Sequence, residues 1–169
     1  MRFHPCSLFA AFALSLAALW ELRPAQADPV AQGAEHCVIN VRSDDVLNLR
    51  TQPNAQARVL TGLRYGQCGV VVTGACRGEW CPVDDGHYAG WAHKRYLGQV
   101  SPARYCVTGI GRNELLSVRA YPAHTSRILV GLNLDQCDVA VLPYARDGWQ
   151  KVRAEGWEGW VPSRNLTWQ

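Results

Sequence analysis

Beyond Ala27 the chain has no long apolar run, no sustained helical period and no marked excess of one charge. The first absence excludes a membrane-spanning helix from that part, since one needs roughly 20 consecutive apolar residues. The second points away from helices, because no window of about ten or more residues keeps the 3.6-residue apolar spacing. The third concerns partners. The whole chain carries 17 basic and 14 acidic side chains, of which Arg2, Arg23 and Glu21 precede Asp28, leaving +2. Such a charge gives no footing for nucleic acid or an anionic membrane surface. A Gly-x-Ser-x-Gly elbow and a phosphate-cradling glycine loop are also missing. His36, His87, His93 and His124 have no metal-ligand spacing on a helix and read as solvated surface, with His36 ahead of the first strand.

The N-terminus has the layout of a secretory signal peptide. Arg2 is followed by an apolar run, Leu8 to Trp20, broken only by Ser15, then by Pro24 and Ala25-Gln26-Ala27. The run is too short for a bilayer span, and cleavage is expected after Ala27. Cys6 lies before the run and leaves with it. Residues 28–36 read as a flexible lead-in, and the protein is expected to be secreted or periplasmic, without stable membrane insertion.

What remains is a duplication. Residues 37–97 lie over 106–166 without a gap, and 20 of the 61 positions are identical. Leu47-Asn48-Leu49-Arg50 with Pro53 returns as Leu116-Ser117-Val118-Arg119 with Pro122. Such self-similarity marks one structural unit used twice. The units span 37–97 and 105–169, and 98–104 reads as a linker whose Ser101-Pro102 pair disfavours helix.

Each unit reads as short strands. Cys37–Val41 and Cys68–Val72 are β-branched runs, and Leu47–Arg50 alternates apolar with polar residues. Asp85-Gly86 between Trp80–Val83 and His87–Ala92 is a hairpin signal. The class is therefore all-β, each unit a small barrel or sandwich. The six cysteines after Ala27 allow 15 pairings, which the repeat narrows. Cys37–Cys68 and Cys106–Cys137 occupy the same places. Cys76 and Cys81 pair by remainder, since both equivalents, Ala145 and Gln150, lack sulfur. Units this small bury too little surface to be secure alone, so disulfides have a clear use, and an exported protein meets the oxidant. A thiolate metal site lacks a second cysteine pair at zinc spacing.

The ordered motifs resemble the bacterial SH3 (SH3b) domain family. Unit 1 has Leu47-Asn48-Leu49-Arg50, Pro53, Leu60-Thr61-Gly62-Leu63, Trp80, Gly90-Trp91-Ala92 and Tyr96-Leu97. Unit 2 has Leu116-Ser117-Val118-Arg119, Pro122, Leu129-Val130-Gly131-Leu132, Trp149, Gly159-Trp160-Val161 and Leu166. Ser117, Ala92 and the disulfides depart from the family pattern. The resemblance implies an SH3-like β-barrel in each unit and binding of cell-wall peptide, peptidoglycan or another extracytoplasmic partner; no cofactor is expected.

The ligand candidates are aromatic. Trp80, Trp91, Trp149 and Trp160 read as core or rim packing. Tyr88 and Trp157 lie three positions before the Gly-Trp tryptophans, on the opposite strand face. If those tryptophans point inward, Tyr88 and Trp157 point out as contact anchors. Tyr65, Tyr121 and Tyr144 sit in expected loops and come second. The expected function is a non-enzymatic binding protein. One rival is an adaptor whose barrels pack on each other, which burial of Tyr88 or Trp157 between them would favour. Another is an enzyme using Cys76, its pKa lowered by Arg77, or a carboxylate among Asp44, Asp45, Asp84 and Asp85, which turn chemistry explains more simply.

Overall fold

The computed structural model describes residues 30–101 and 104–168. The signal-peptide assignment, and residues 28 and 29 of the lead-in, fall outside them. Unit 1 contains β1 (Glu35–Val38), β2 (Val46–Arg50), β3 (Val59–Arg64), β4 (Val70–Val72), β5 (Trp80–Asp84), β6 (Ala89–His93) and β7 (Leu97–Gln99). A single 3-10 turn, Lys94–Tyr96, precedes β7. Unit 2 contains β8 (Arg104–Val107), β9 (Leu115–Arg119), β10 (Ile128–Asn133), β11 (Val139–Arg146), β12 (Trp149–Ala154), β13 (Trp157–Pro162) and β14 (Leu166–Trp168).

Both seven-stranded sheets are antiparallel and share one strand order: β3-β2-β6-β5-β4-β1-β7, and β10-β9-β13-β12-β11-β8-β14. Each curls on itself. The Val38 N–H donates to Gln67 O and its carbonyl accepts from Gly66 N; Val107 does the same with Gln136 and Asp135. The alternation in Leu47–Arg50 is the reason β2 holds its register: Leu47 and Leu49 are buried, and their neighbours are not. Leu116 and Val118 repeat this in β9. Each unit has its own core, around Leu49, Leu63, Val72 and Val83 in one and Val118, Leu132, Val152 and Val161 in the other.

All three expected disulfides are present: Cys37–Cys68, Cys76–Cys81 and Cys106–Cys137. Asp85-Gly86 opens the β5–β6 connection, with Gly86 at φ +87° and the Asp85 carboxylate accepting from His87 N and Tyr88 N. The repeated arginines brace the loop after their strand: Arg50 Nη1 donates to Ala57 O at 2.8 Å and Arg119 Nη1 to Ser126 O at 2.6 Å.

Two segments are more structured than expected. In the lead-in, Val30 packs into the unit 1 core, Gly33 N donates to Val72 O, and β1 begins at Glu35. His36 is therefore not solvated surface but a fully buried residue of β1, its Nδ1 2.9 Å from Ala34 O. In the linker, Gly98 and Gln99 belong to β7, Val100 is buried, and Ser101 N donates to Val141 O. The causes differ: the lead-in is held by the core and β4 of unit 1, and the linker by the packing of unit 2 on this end of unit 1.

Candidate functional site

The junction between the units is built from a third apolar cluster. Cys37 and Val100 meet Leu142 and Tyr144, with Ile39, Cys68, Ala140 and Trp160 packed around them. β11 makes this possible. Its pairing with β12 breaks between Val141 and Ala145, and the break pushes Pro143 and Tyr144 toward unit 1. Gln150 satisfies the freed backbone: its Nε2 donates to Leu142 O at 2.7 Å and Tyr144 O at 2.9 Å. In unit 1 the equivalent of Gln150 is Cys81, and the disulfide to Cys76 holds that segment instead.

Tyr144 is the anchor. Its hydroxyl donates to Val38 O at 2.8 Å, and its ring meets Tyr65 edge-on at 5.5 Å. Burial, with Tyr65 and Glu158 adding to it, holds this hydroxyl well above the ordinary phenol pKa, so it stays protonated. Lys151 Nζ sits 5.1 Å from the centre of the same ring and 3.4 Å from Glu158. Arg153 crosses the junction to Glu35, Nη1 to Oε2 at 3.0 Å and Nη2 to Oε1 at 2.9 Å, and also bonds Glu158. The hydrogen bond from Arg153 lowers the Glu35 carboxyl below its usual range. Pro143 closes on Gly98, where a Cβ would lie 2.8 Å from the proline Cβ.

Beside this junction runs a groove of about 820 Å³. Tyr65 and Tyr121 stand exposed on its walls, Tyr144 lies buried along it, and Trp160 and Lys151 also line it. The 121–126 loop is placed by Arg119 and by the Ser126 hydroxyl, which accepts from Tyr121 N at 2.8 Å. Aromatic faces with a few charged groups suit an extended ligand with apolar side chains and a polar backbone.

Three of the five expected contact residues thus come together: Tyr65, Tyr121 and Tyr144. Tyr65 and Tyr121 lie in loops as expected. Tyr144 does not; it belongs to β11 and is only 7% exposed, because the break in β11 turns it into the junction. Tyr88 and Trp157 are 50% and 48% exposed but line neither this groove nor the concavity below. The condition attached to them fails. The inward residues of the Gly-Trp strands are Ala92 and Val161, fully buried, while Trp91 and Trp160 are half-buried on the other face. The junction buries neither Tyr88 nor Trp157.

A second concavity, about 430 Å³, lies in unit 1 alone and was missed in the sequence. Its rings form a chain, Trp80 to His93 at 5.3 Å and His93 to Tyr96 at 5.8 Å, with Asn48 and Arg50 opposite. Unit 2 carries different side chains at the same place. His124, where unit 1 has Ala55, lies tilted over Trp149 with ring centres 4.9 Å apart. Asn165, in place of Tyr96, bonds Thr108 O and Gly109 O, and Pro162 replaces His93. The signal was in the alignment, at positions where the copies differ.

Among the described residues no three His, Cys, Asp or Glu side chains group to hold a metal ion, and no helix is long and apolar enough to cross a membrane. All six described cysteines are in disulfides, which fits an oxidising compartment. A family model described as a bacterial SH3 domain matches residues 45–98, from the end of the first loop into β7. No curated protein matches the chain. Among solved structures, the chain is similar to NlpC2 from Trichomonas vaginalis, at 14% identity and TM-score 0.38 over 80% of this chain and 48% of that one. NlpC1 from the same organism gives 14% and 0.38 over 86% and 49%. The chain spans about half the length of these two structures.

Proposed function

We propose that this is an exported, non-enzymatic binding protein that takes an extended cell-envelope peptide, such as that of peptidoglycan, in the groove between its two units. The observation that carries this is the convergence of Tyr65 from unit 1 with Tyr121, Tyr144 and Trp160 from unit 2 on one groove. Aromatic anchors of this kind dominate binding energy in well-packed interfaces. The bacterial SH3 match over residues 45–98 supports the partner class, since domains of that kind often bind cell-wall components. The disulfides support export, and they leave no described cysteine free as a nucleophile.

The test is retention of the purified protein on peptidoglycan sacculi, beside a Tyr65→Ala/Tyr121→Ala variant and a Tyr88→Ala/Trp157→Ala variant. The wild type and the second variant should be retained, and the first released. Failure of the wild type to bind would end the wall reading. Equal retention of the Tyr65→Ala/Tyr121→Ala variant would move the site elsewhere.

A further inference from the structure

The junction joins two different faces, so it is heterologous and does not close on itself. Unit 1 offers the face of β1 and β7, and unit 2 offers the face of β11 and β12. Because the units share one fold and align without a gap, each face has a counterpart that the junction leaves open. On unit 2 it is the face of β8 and β14. On unit 1 it is the face of β4 and β5.

Two contact pairs of the junction change together when carried to these open faces. Glu35 with Arg153 becomes Arg104 with Asp84: the charges trade places and the attraction is kept. Gly98 with Pro143 becomes Thr167 with Gly74: the bulk trades sides and the room is kept. Both crossed combinations lose the attraction, and one loses the room as well. Glu35 would face Asp84, Arg104 would face Arg153, and Thr167 would meet Pro143 where no Cβ fits. Like charges set opposite one another in this way suppress wrong pairings.

The open faces also carry uncovered apolar surface. Trp168 is 65% exposed on β14, while the equivalent strand β7 packs on β11. Val71 is exposed where Ala140 packs against the junction cluster. The charges there are loosely engaged. Arg104 and Asp138 pair at 3.3 Å with both side chains about three-quarters exposed, at 74% and 76%, and such pairs are weak. Asp84 accepts from Gly86 N and has no cationic partner among the described residues.

We propose that copies of this chain associate head to tail, the Arg104 face of one against the Asp84 face of the next. Ala75 stands where the junction has Tyr144, so this contact is weaker than the one within the chain.

Sedimentation equilibrium of the purified protein from about 1 μM to about 1 mM covers the range of weak association. The wild-type mass should rise with concentration. Asp84→Arg alone and Arg104→Asp alone should each lower the association constant at least about tenfold, since each sets like charges opposite. An equimolar mixture of the two variants restores an Arg–Asp pair at every contact and should associate as the wild type does. That recovery separates a lost contact from a misfolded variant. A wild type that stays monomeric throughout, variants that associate undiminished, or a mixture no better than its components would each overturn the proposal.

Discussion

Tyr144 gives the sharpest test of the junction, because its ring and its hydroxyl make separable contributions. Tyr144→Phe removes the 2.8 Å hydrogen bond to Val38 O and leaves the ring against Tyr65. An intramolecular hydrogen bond contributes about 0.5–1.5 kcal/mol net. The Val38 carbonyl also accepts from Gly66 N at 3.0 Å, so it is not orphaned, and the cost belongs at the low end, about 0.5–1 kcal/mol. Tyr144→Ala also empties a site where the side chain is 7% exposed, and truncation of a buried aromatic costs about 3–5 kcal/mol. Tyr121, 73% exposed on the same groove, is the control, and Tyr121→Ala should fall within about 0.5 kcal/mol of wild type. Urea unfolding of the oxidised protein, followed by tryptophan fluorescence, measures all three. A Tyr144→Ala cost below about 1 kcal/mol would place the ring on ordinary surface and refute the junction as a packed interface. Equal costs for Phe and Ala would refute the division between ring and hydroxyl.

Three further outcomes follow from the same contacts. Removing Cys37–Cys68 by a paired Cys→Ala change should cost about 3–4 kcal/mol by loop entropy, and removing Cys76–Cys81 about 2, read as shifts in the urea midpoint. Gly98→Ala should destabilise by about 1–3 kcal/mol through overpacking against Pro143 and Ile39, whereas Thr167→Ala on the exposed counterpart should be near neutral. Acid should act in two steps. Burial lowers the His36 pKa below its ordinary 6.5, so its contribution is present above about pH 6.5 and is lost as pH falls below it. Glu35 is held below its ordinary 4.5 by Arg153, so its contribution is present above about pH 4.5 and is lost as pH falls through the lowered value. His36→Leu should abolish only the upper step in a pH series of melting temperatures, and Glu35→Gln only the lower.

The architecture was readable because the chain states it twice. Leu47 and Leu49 alternate, Leu116 and Val118 repeat them, and the cysteine positions pair by equivalence. The junction was not readable in that way, since packing between units is the property the copies do not share. β1 shows why. Its burial does not alternate: His36, Cys37 and Val38 are all buried, because Val38 faces the unit 1 core while Cys37 faces unit 2. A strand covered on both sides loses the two-residue period that reveals strands covered on one. Tyr144 misled for a related reason. Its break from the β12 ladder resembles a loop in sequence, and only Gln150, on the neighbouring strand, shows that the segment is held. Tyr144 against Ala75 and Tyr96 against Asn165 were visible differences between the copies, and each marks a concavity.

Gln150 carries a consequence for redox behaviour. The two units hold the same irregular strand by different chemistry: a disulfide at Cys76–Cys81 in one, and a side-chain amide on two carbonyls in the other. A reductant that opens the first clamp has nothing to act on in the second. The strand that carries Pro143 and Tyr144 to the groove is thus clamped independently of oxidant, while its unused counterpart is not. Opening of Cys76–Cys81 should loosen the segment from Gly74 to Cys81 and leave the Gln150 clamp on β11 in place.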